Sequence, residues 1–156
     1  MKTKLFKRIA AVAAAAALML SVTACGSSGS GDSSSSSGSS DSDVIKVGVL
    51  FSESGSTALV EKTMTNACKM AFDEINAAGG INGKQIEYIH EDYASDPAKA
   101  TEKIKKLIEQ DKVVATVGCY TSASRQATLS TLKDDNSLLI YPTYTEGEEV
   151  HPNVIY

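Results

Sequence analysis

Two kinds of apolar pattern alternate along the chain from residue 44 onward. Residues 44–51 are almost continuously apolar and rich in β-branched side chains, as expected for a strand buried on both faces. The next segment places apolar side chains three and four residues apart, which predicts one apolar stripe of a helix that ends at Gly79 and Gly80. The stripe consists of Met64, Ala67, Cys68, Ala71, Phe72 and Ile75.

The same alternation continues to residue 141. Strands are predicted over residues 86–92, 113–118 and 138–141, and a helix over residues 122–133. Ser95, Asp96 and Pro97 are a typical start for the helix between the first two of these strands. Its core face is predicted to contain Ala100, Ile104, Leu107 and Ile108. The order β-α-β-α-β-α-β predicts a doubly wound parallel α/β sheet, with ligands bound beyond the carboxyl ends of its strands.

The first 43 residues have a different character and predict export. Four basic residues precede an apolar run over residues 9–20, which is typical of a secretory signal and too short to span a bilayer. Residues 22–25, Val-Thr-Ala-Cys, resemble the lipobox of bacterial lipoproteins. We therefore predict a signal peptide over residues 1–24 and a lipid on Cys25 that anchors the protein to the outer face of the cell membrane. An ordinary secretory signal with an incidental cysteine is the alternative.

Composition bounds the rest of the chain. Residues 25–43 are the lipidated cysteine followed almost entirely by Ser, Gly and Asp, which predicts a flexible tether, so residues 44–156 form one modest domain. The signal segment carries four of the 15 basic residues and none of the 19 acidic ones, which leaves a net charge of −8 on the remainder. That sign disfavours a nucleic acid as partner.

The residue types that carry out catalysis are sparse. Cys68 and Cys119 are predicted as small buried apolar residues, and a bridge between them stays open. Residues 90–92, His-Glu-Asp, point alternately to opposite strand faces, and no spacing resembles a zinc site. No Ser or Cys has an evident His partner. The sequence therefore predicts a binding protein rather than an enzyme, with no metal and no cofactor.

Polar side chains follow the third and fourth predicted strands. Thr121, Ser122 and Ser124 lie where a strand ends and a helix begins, so free backbone N–H groups and the positive end of the helix dipole meet there. This arrangement favours an anion or a carbonyl oxygen, although Ser122 acting only as helix cap is the alternative. Residues 141–149 add hydroxyl and aromatic groups at the adjacent strand end. Together the two segments predict half of a binding site for a small polar ligand.

Several segments resemble the first lobe of type I periplasmic binding proteins. Residues 47–56 and 73–84 are similar to branched-chain amino-acid, amide and urea binders in general. Residues 118–125, together with 141–143 and 146–149, look like the urea and short-amide branch. The resemblance implies that the ligand is lined from one loop by Tyr120 and Ser122 and from the next by Tyr141 and Thr143.

The resemblance also implies a function. It suggests a lipid-anchored solute-binding component of an ABC importer that captures urea or a short amide and delivers it to permease subunits. The alternative in the same fold is a branched-chain amino-acid-binding protein, in which the helix N-terminus at Ser122 would hold the ligand carboxylate. An extracellular amide sensor and a structural surface lipoprotein are alternatives of other classes. Family members have two lobes, so we expect this chain to be a truncated first lobe in which residues 138–141 form an exposed edge strand.

Overall fold

The computed structural model describes residues 44–156, so the predicted signal peptide, the lipidation site Cys25 and the tether lie outside the described residues. The elements are β1 (Val44–Leu50), α1 (Ala58–Ala77), β2 (Gln85–Glu91), α2 (Pro97–Glu109), β3 (Ala115–Gly118), α3 (Ser122–Asp134), β4 (Leu139–Ile140) and β5 (Val154–Ile155). None of the helices in residues 44–156 has the length and the apolar composition of a membrane span.

The strands form one parallel sheet in the order β2-β1-β3-β4-β5. The chain passes from β1 to β2 on one side and then returns to β3 on the other side of β1, so the strand order reverses between β1 and β3. This confirms the predicted doubly wound parallel α/β sheet. Ligands of such sheets bind beyond the carboxyl ends of the strands, near the reversal point.

The prediction of an exposed edge strand over residues 138–141 is wrong. β4 has only two residues and pairs with β3 on one side and β5 on the other. The backbone N–H of Leu139 donates to the carbonyl oxygen of Asn153 at 2.9 Å, and that of Tyr141 donates to Ile155 at 2.8 Å. β5 is two residues long and follows an irregular segment, so it leaves no periodic pattern in the sequence. The edge strands of the described sheet are therefore β2 and β5.

One face of the sheet carries the main hydrophobic core, under α2 and α3. Its fully buried members include Leu50, Tyr93, Ala100, Ile104, Leu107, Cys119, Leu132 and Leu139. The predicted core face of α2 is confirmed, since Ile108 also packs against this cluster. α2 begins as predicted, because the Asp96 carboxylate accepts a hydrogen bond from the backbone N–H of Ala98 at 2.8 Å, directly before Pro97.

α1 lies against β2 on the opposite face and is much less deeply buried. The aromatic ring of Phe72 in α1 stacks on that of Tyr88 in β2, with ring centroids 5.9 Å apart. The buried residue of α1 is Glu61, whose side chain is a carboxylate. Three members of the predicted apolar stripe are exposed and three are half-buried. Cys68 is among the half-buried ones, so its predicted burial is only partial, whereas Cys119 is buried as predicted. Both are free thiols, so the bridge that the sequence left open is absent.

Candidate functional site

A pocket of about 170 Å³ lies at the carboxyl ends of β3 and β4. Its lining residues are Tyr120, Thr121, Ser122, Tyr141, Thr143, Tyr144 and Glu146. The structure therefore brings all four sequence-predicted ligand residues into one place. Their role in ligand binding stays a prediction. The volume is below the ~300–1000 Å³ of common ligand pockets, which suits a small molecule or one end of a larger one.

The backbone carbonyl of Tyr120 joins the two loops of the pocket. The hydroxyl of Tyr141 donates to this oxygen at 3.1 Å, and the hydroxyl of Thr143 donates to it at 3.2 Å. A carbonyl oxygen only accepts, so both hydroxyl protons are engaged by the protein. The oxygens of Tyr141 and Thr143 are consequently left to act as acceptors toward a ligand.

The N-terminus of α3 supplies hydrogen-bond donors to the pocket. Thr121 is the capping residue, because its hydroxyl oxygen accepts the backbone N–H of Ser124 at 3.2 Å and its proton is donated to the Ser124 hydroxyl at 2.9 Å. The alternative in which Ser122 only caps this helix is therefore wrong. Ser122 is the first helical residue, where backbone N–H groups lack partners within the helix and the dipole is positive.

An ion pair whose cation is fully buried contacts the pocket residues Ser122 and Tyr141. The Arg125 side chain is fully buried and its Nε donates to Glu149 Oε1 at 3.0 Å. The hydrogen bond from Arg125 lowers the pKa of Glu149 to about 2, with further bonds from Gln126 and Tyr156 in the same direction. Burial alone would lower the pKa of Arg125, but the hydrogen bond and charge of Glu149 raise it above its usual value. Both groups are therefore charged throughout the physiological range.

The charge of Arg125 also faces two aromatic rings. Its guanidinium carbon lies 4.5 Å from the ring centroid of Tyr141 and 5.5 Å from that of Tyr156. The pairing of Arg125 with Glu149 was not predicted from the sequence. Arginine in the first turn of a helix normally reads as a solvated charge, and Glu149 follows it by 24 positions along the chain.

A buried carboxylate of α1, Glu61, lies next to Tyr93, which contacts the pocket residue Tyr120. Glu61 is fully buried and accepts the backbone N–H of Ser52 at 2.7 Å and the hydroxyl of Thr57. Burial, and then the adjacent Glu61 carboxylate, raise the pKa of the Tyr93 hydroxyl above its usual value. The Tyr93 oxygen accepts the backbone N–H of Tyr120 at 3.3 Å. Glu61 and Tyr93 were also missed, because a helical Glu and a lone Tyr carry no distinctive local pattern.

The side chains of His90, Glu91 and Asp92 all have partners within the protein. His90 Nε2 lies 2.9 Å from the carbonyl oxygen of Phe51, and Glu91 pairs with Lys103 at 3.0 Å. Asp92 accepts the Ser54 hydroxyl at 2.8 Å. Within residues 44–156, no group of three or more His, Cys, Asp or Glu side chains is arranged to hold a metal ion.

Comparison with known proteins identifies the class. Residues 45–156 match the family described as a periplasmic binding protein domain, and the chain belongs to this family. A leucine-, isoleucine-, valine-, threonine- and alanine-binding protein of Pseudomonas aeruginosa is 33% identical over 106 residues, which are 68% of this chain and 28% of that protein. An amino acid binding protein of the same organism is 37% identical over 82 residues, which are 53% of this chain and 22% of that protein.

Solved structures agree on the fold. The branched-chain amino acid transporter substrate binding protein from Streptococcus pneumoniae, in complex with isoleucine, matches with a TM-score of 0.64 and 41% identity, covering 66% of this chain and 30% of that chain. An ABC transporter substrate-binding protein from Sphaerobacter thermophilus matches with a TM-score of 0.58 and 29% identity, covering 62% of this chain and 26% of that one. The chain therefore has the type I periplasmic binding protein fold and spans less than a third of each of these four relatives.

Proposed function

We propose that this protein is the extracytoplasmic solute-binding component of an ABC importer, which captures a small polar ligand and delivers it to permease subunits. Family membership supports a binding protein rather than an enzyme. The observation that carries the proposal is the convergence of Tyr120, Ser122, Tyr141 and Thr143 with the N-terminus of α3 in one pocket. Anchoring through a lipid on Cys25 is part of the same proposal and rests on the lipobox resemblance alone.

A branched-chain amino acid is the first ligand candidate. The names of the relatives described above favour it over the urea and amide reading of the sequence. The α3 N-terminus and the Ser122 hydroxyl are suited to a carboxylate, since helix N-termini bind anions. Glu146 contributes a carboxylate to the same pocket lining and supplies a partner for an ammonium group. A zwitterion would thus meet a complementary charge at each end.

Urea or a short amide is the second candidate, and the neutrality of most of the pocket favours it. The four predicted ligand residues are uncharged, and the nearby charge of Arg125 is already paired with Glu149. An amide carbonyl would accept from Ser122, while amide N–H groups would donate to the oxygens of Tyr141 and Thr143. Such a ligand needs no ionic partner from the protein.

Titration calorimetry on the full-length protein with L-isoleucine, urea and acetamide separates these candidates. If an amino acid is the ligand, only isoleucine binds and Glu146→Gln weakens it by about tenfold, a loss of roughly 1.4 kcal/mol. If an amide is the ligand, urea or acetamide binds and Glu146→Gln has little effect. Glu148→Gln is the matched control, because Glu148 is exposed and does not line the pocket. Absence of heat with all three probes would contradict the importer proposal.

A further inference from the structure

Arg125 is a buried charge that the pocket does not use directly. Its side chain has no exposed surface, and it is not among the residues that line the cavity. Burying a guanidinium is costly unless its charge and its N–H groups find partners. Its Nη2 has no hydrogen-bond partner among the described residues, so the site tolerates an imperfectly satisfied cation.

The first task of Arg125 is to connect two loops of the pocket. Through Nε it holds Glu149, whose Oε1 also accepts the Tyr156 hydroxyl at 2.9 Å and whose Oε2 accepts Gln126 Nε2 at 3.0 Å. Glu149 follows the segment that carries Thr143, Tyr144 and Glu146. The ion pair therefore fixes that segment to the first turn of α3.

The second task concerns the polarity of Ser122. Arg125 Nη1 donates to the Ser122 hydroxyl oxygen at 3.3 Å. A guanidinium has only donors, so this contact occupies Ser122 as an acceptor and leaves its hydroxyl proton to be donated elsewhere. Tyr141 and Thr143 are held in the opposite role, because their protons go to the Tyr120 carbonyl. The protein thereby assigns one donor hydroxyl and two acceptor hydroxyls within a single pocket.

We propose that Arg125 is a positioning residue that sets Ser122 as a hydrogen-bond donor and so makes the pocket specific for ligands with an acceptor oxygen beside the α3 N-terminus. This inference rests on the proposed binding function. Arg125 itself makes no contact with the ligand. Without its donation, the Ser122 hydroxyl rotates freely and presents either a proton or a lone pair, and the orientation that favours an acceptor oxygen is lost.

A double-mutant cycle on the full-length protein tests this role. Ser122→Ala, Arg125→Met and the double variant are titrated with whichever of L-isoleucine, urea and acetamide the unmodified protein binds. We expect Ser122→Ala to weaken binding by about tenfold in the unmodified protein, as for loss of one buried hydrogen bond. In the Arg125→Met background we expect the same change to weaken binding by less than about twofold, because the two residues act as a unit. Lys105→Met, an exposed residue of α2, controls for the loss of a basic side chain.

The outcomes are distinguishable. A tenfold loss from Ser122→Ala in both backgrounds would show that Arg125 has only a structural role and would overturn the inference while leaving the binding function intact. If the unmodified protein binds none of the three probes, the proposed function fails and the inference fails with it. If Arg125→Met does not fold, Arg125→Lys replaces it, since a single ammonium keeps the charge but lacks the fork that reaches both Glu149 and Ser122. The weakened effect of Ser122→Ala is then expected in the Lys background, and an undiminished tenfold effect there would overturn the inference.

Discussion

The two faces of the sheet are built in different ways. Under α2 and α3, apolar side chains such as Ile104 and Leu107 are fully buried in one cluster. On the other face, both ends of α1 are attached to neighbouring backbone groups by hydrogen bonds from polar side chains. Glu61 accepts the backbone N–H of Ser52 at 2.7 Å, and Asn76 exchanges two hydrogen bonds with the backbone of Ile86, at 2.9 and 2.7 Å. The exposed apolar residues of α1 include Leu59, Val60, Met70 and Ile75.

The register of the strands shows that the exposure extends beyond α1. Ile140 and Ile155 are partners across β4 and β5, and both are exposed, whereas their neighbours Leu139 and Val154 are buried on the other face. An apolar stripe at helical spacing therefore identifies the side of a helix that faces the sheet. It does not establish that enough neighbours are present to bury that side.

The largest expected difference between the faces lies in the cost of truncating an apolar side chain. Leu107→Ala should lower the free energy of unfolding by about 2–5 kcal/mol, because it opens a cavity in a fully buried cluster. Met70→Ala on α1 should change it by less than ~0.5 kcal/mol, because Met70 is 63% exposed. Urea unfolding of the two variants of the full-length protein measures both. Equal losses would contradict the contrast drawn between the faces.

A smaller effect is expected from the polar attachment of α1. Asn76→Ala should cost about 1–3 kcal/mol, because it leaves the N–H and carbonyl groups of Ile86 without their side-chain partner. Asn66→Ala, an exposed residue of the same helix, is the matched control and should be nearly neutral. The same unfolding assay compares them. If both substitutions were neutral, apolar contacts and not Asn76 would hold the end of α1 on the sheet.

Chemical labelling of the two cysteines compares the packing of the two faces without changing the sequence. Burial raises the pKa of the Cys68 thiol, so its reaction with a maleimide should be slow at neutral pH and should become faster as the pH is raised. Cys119 is fully buried in the α2 and α3 core, where burial also raises its pKa, so it should be labelled only after unfolding. Peptide mapping by mass spectrometry reads each site separately. Labelling of both thiols at equal rates in the folded protein would be evidence against the difference in packing.

The long periodic elements of the fold were predictable from sequence. β1, β2 and α3 lie within one or two residues of their predicted bounds, and α2 begins at the predicted Pro97. β3 is shorter than predicted, since Val113 and Val114 precede its first paired residue, Ala115. β5 gave no signal because two residues cannot display a period.

The candidate site was predictable only in part. Tyr120, Ser122, Tyr141 and Thr143 follow two strands that the topology makes adjacent, so their convergence follows from strand order. Arg125, Glu149 and Glu61 were not predictable in their roles, because each reads as an ordinary helix or loop charge. Their burial depends on partners that are distant along the chain.

The sequence by itself determined the alternation of strands and helices, and with it a parallel sheet whose loops gather at one edge. It did so because continuous apolar runs of strand length and the 3.6-residue apolar period of helices are local properties of the chain. The tertiary structure alone decided that β5 completes the edge beyond β4, that α1 is shallowly buried, and that Arg125 is enclosed by Glu149, Tyr141 and Tyr156. These contacts join residues that are far apart in the sequence, so no local pattern predicts them. Their strength depends on the exclusion of water from the folded protein, because hydrogen bonds and ion pairs are stronger in a medium of low dielectric constant.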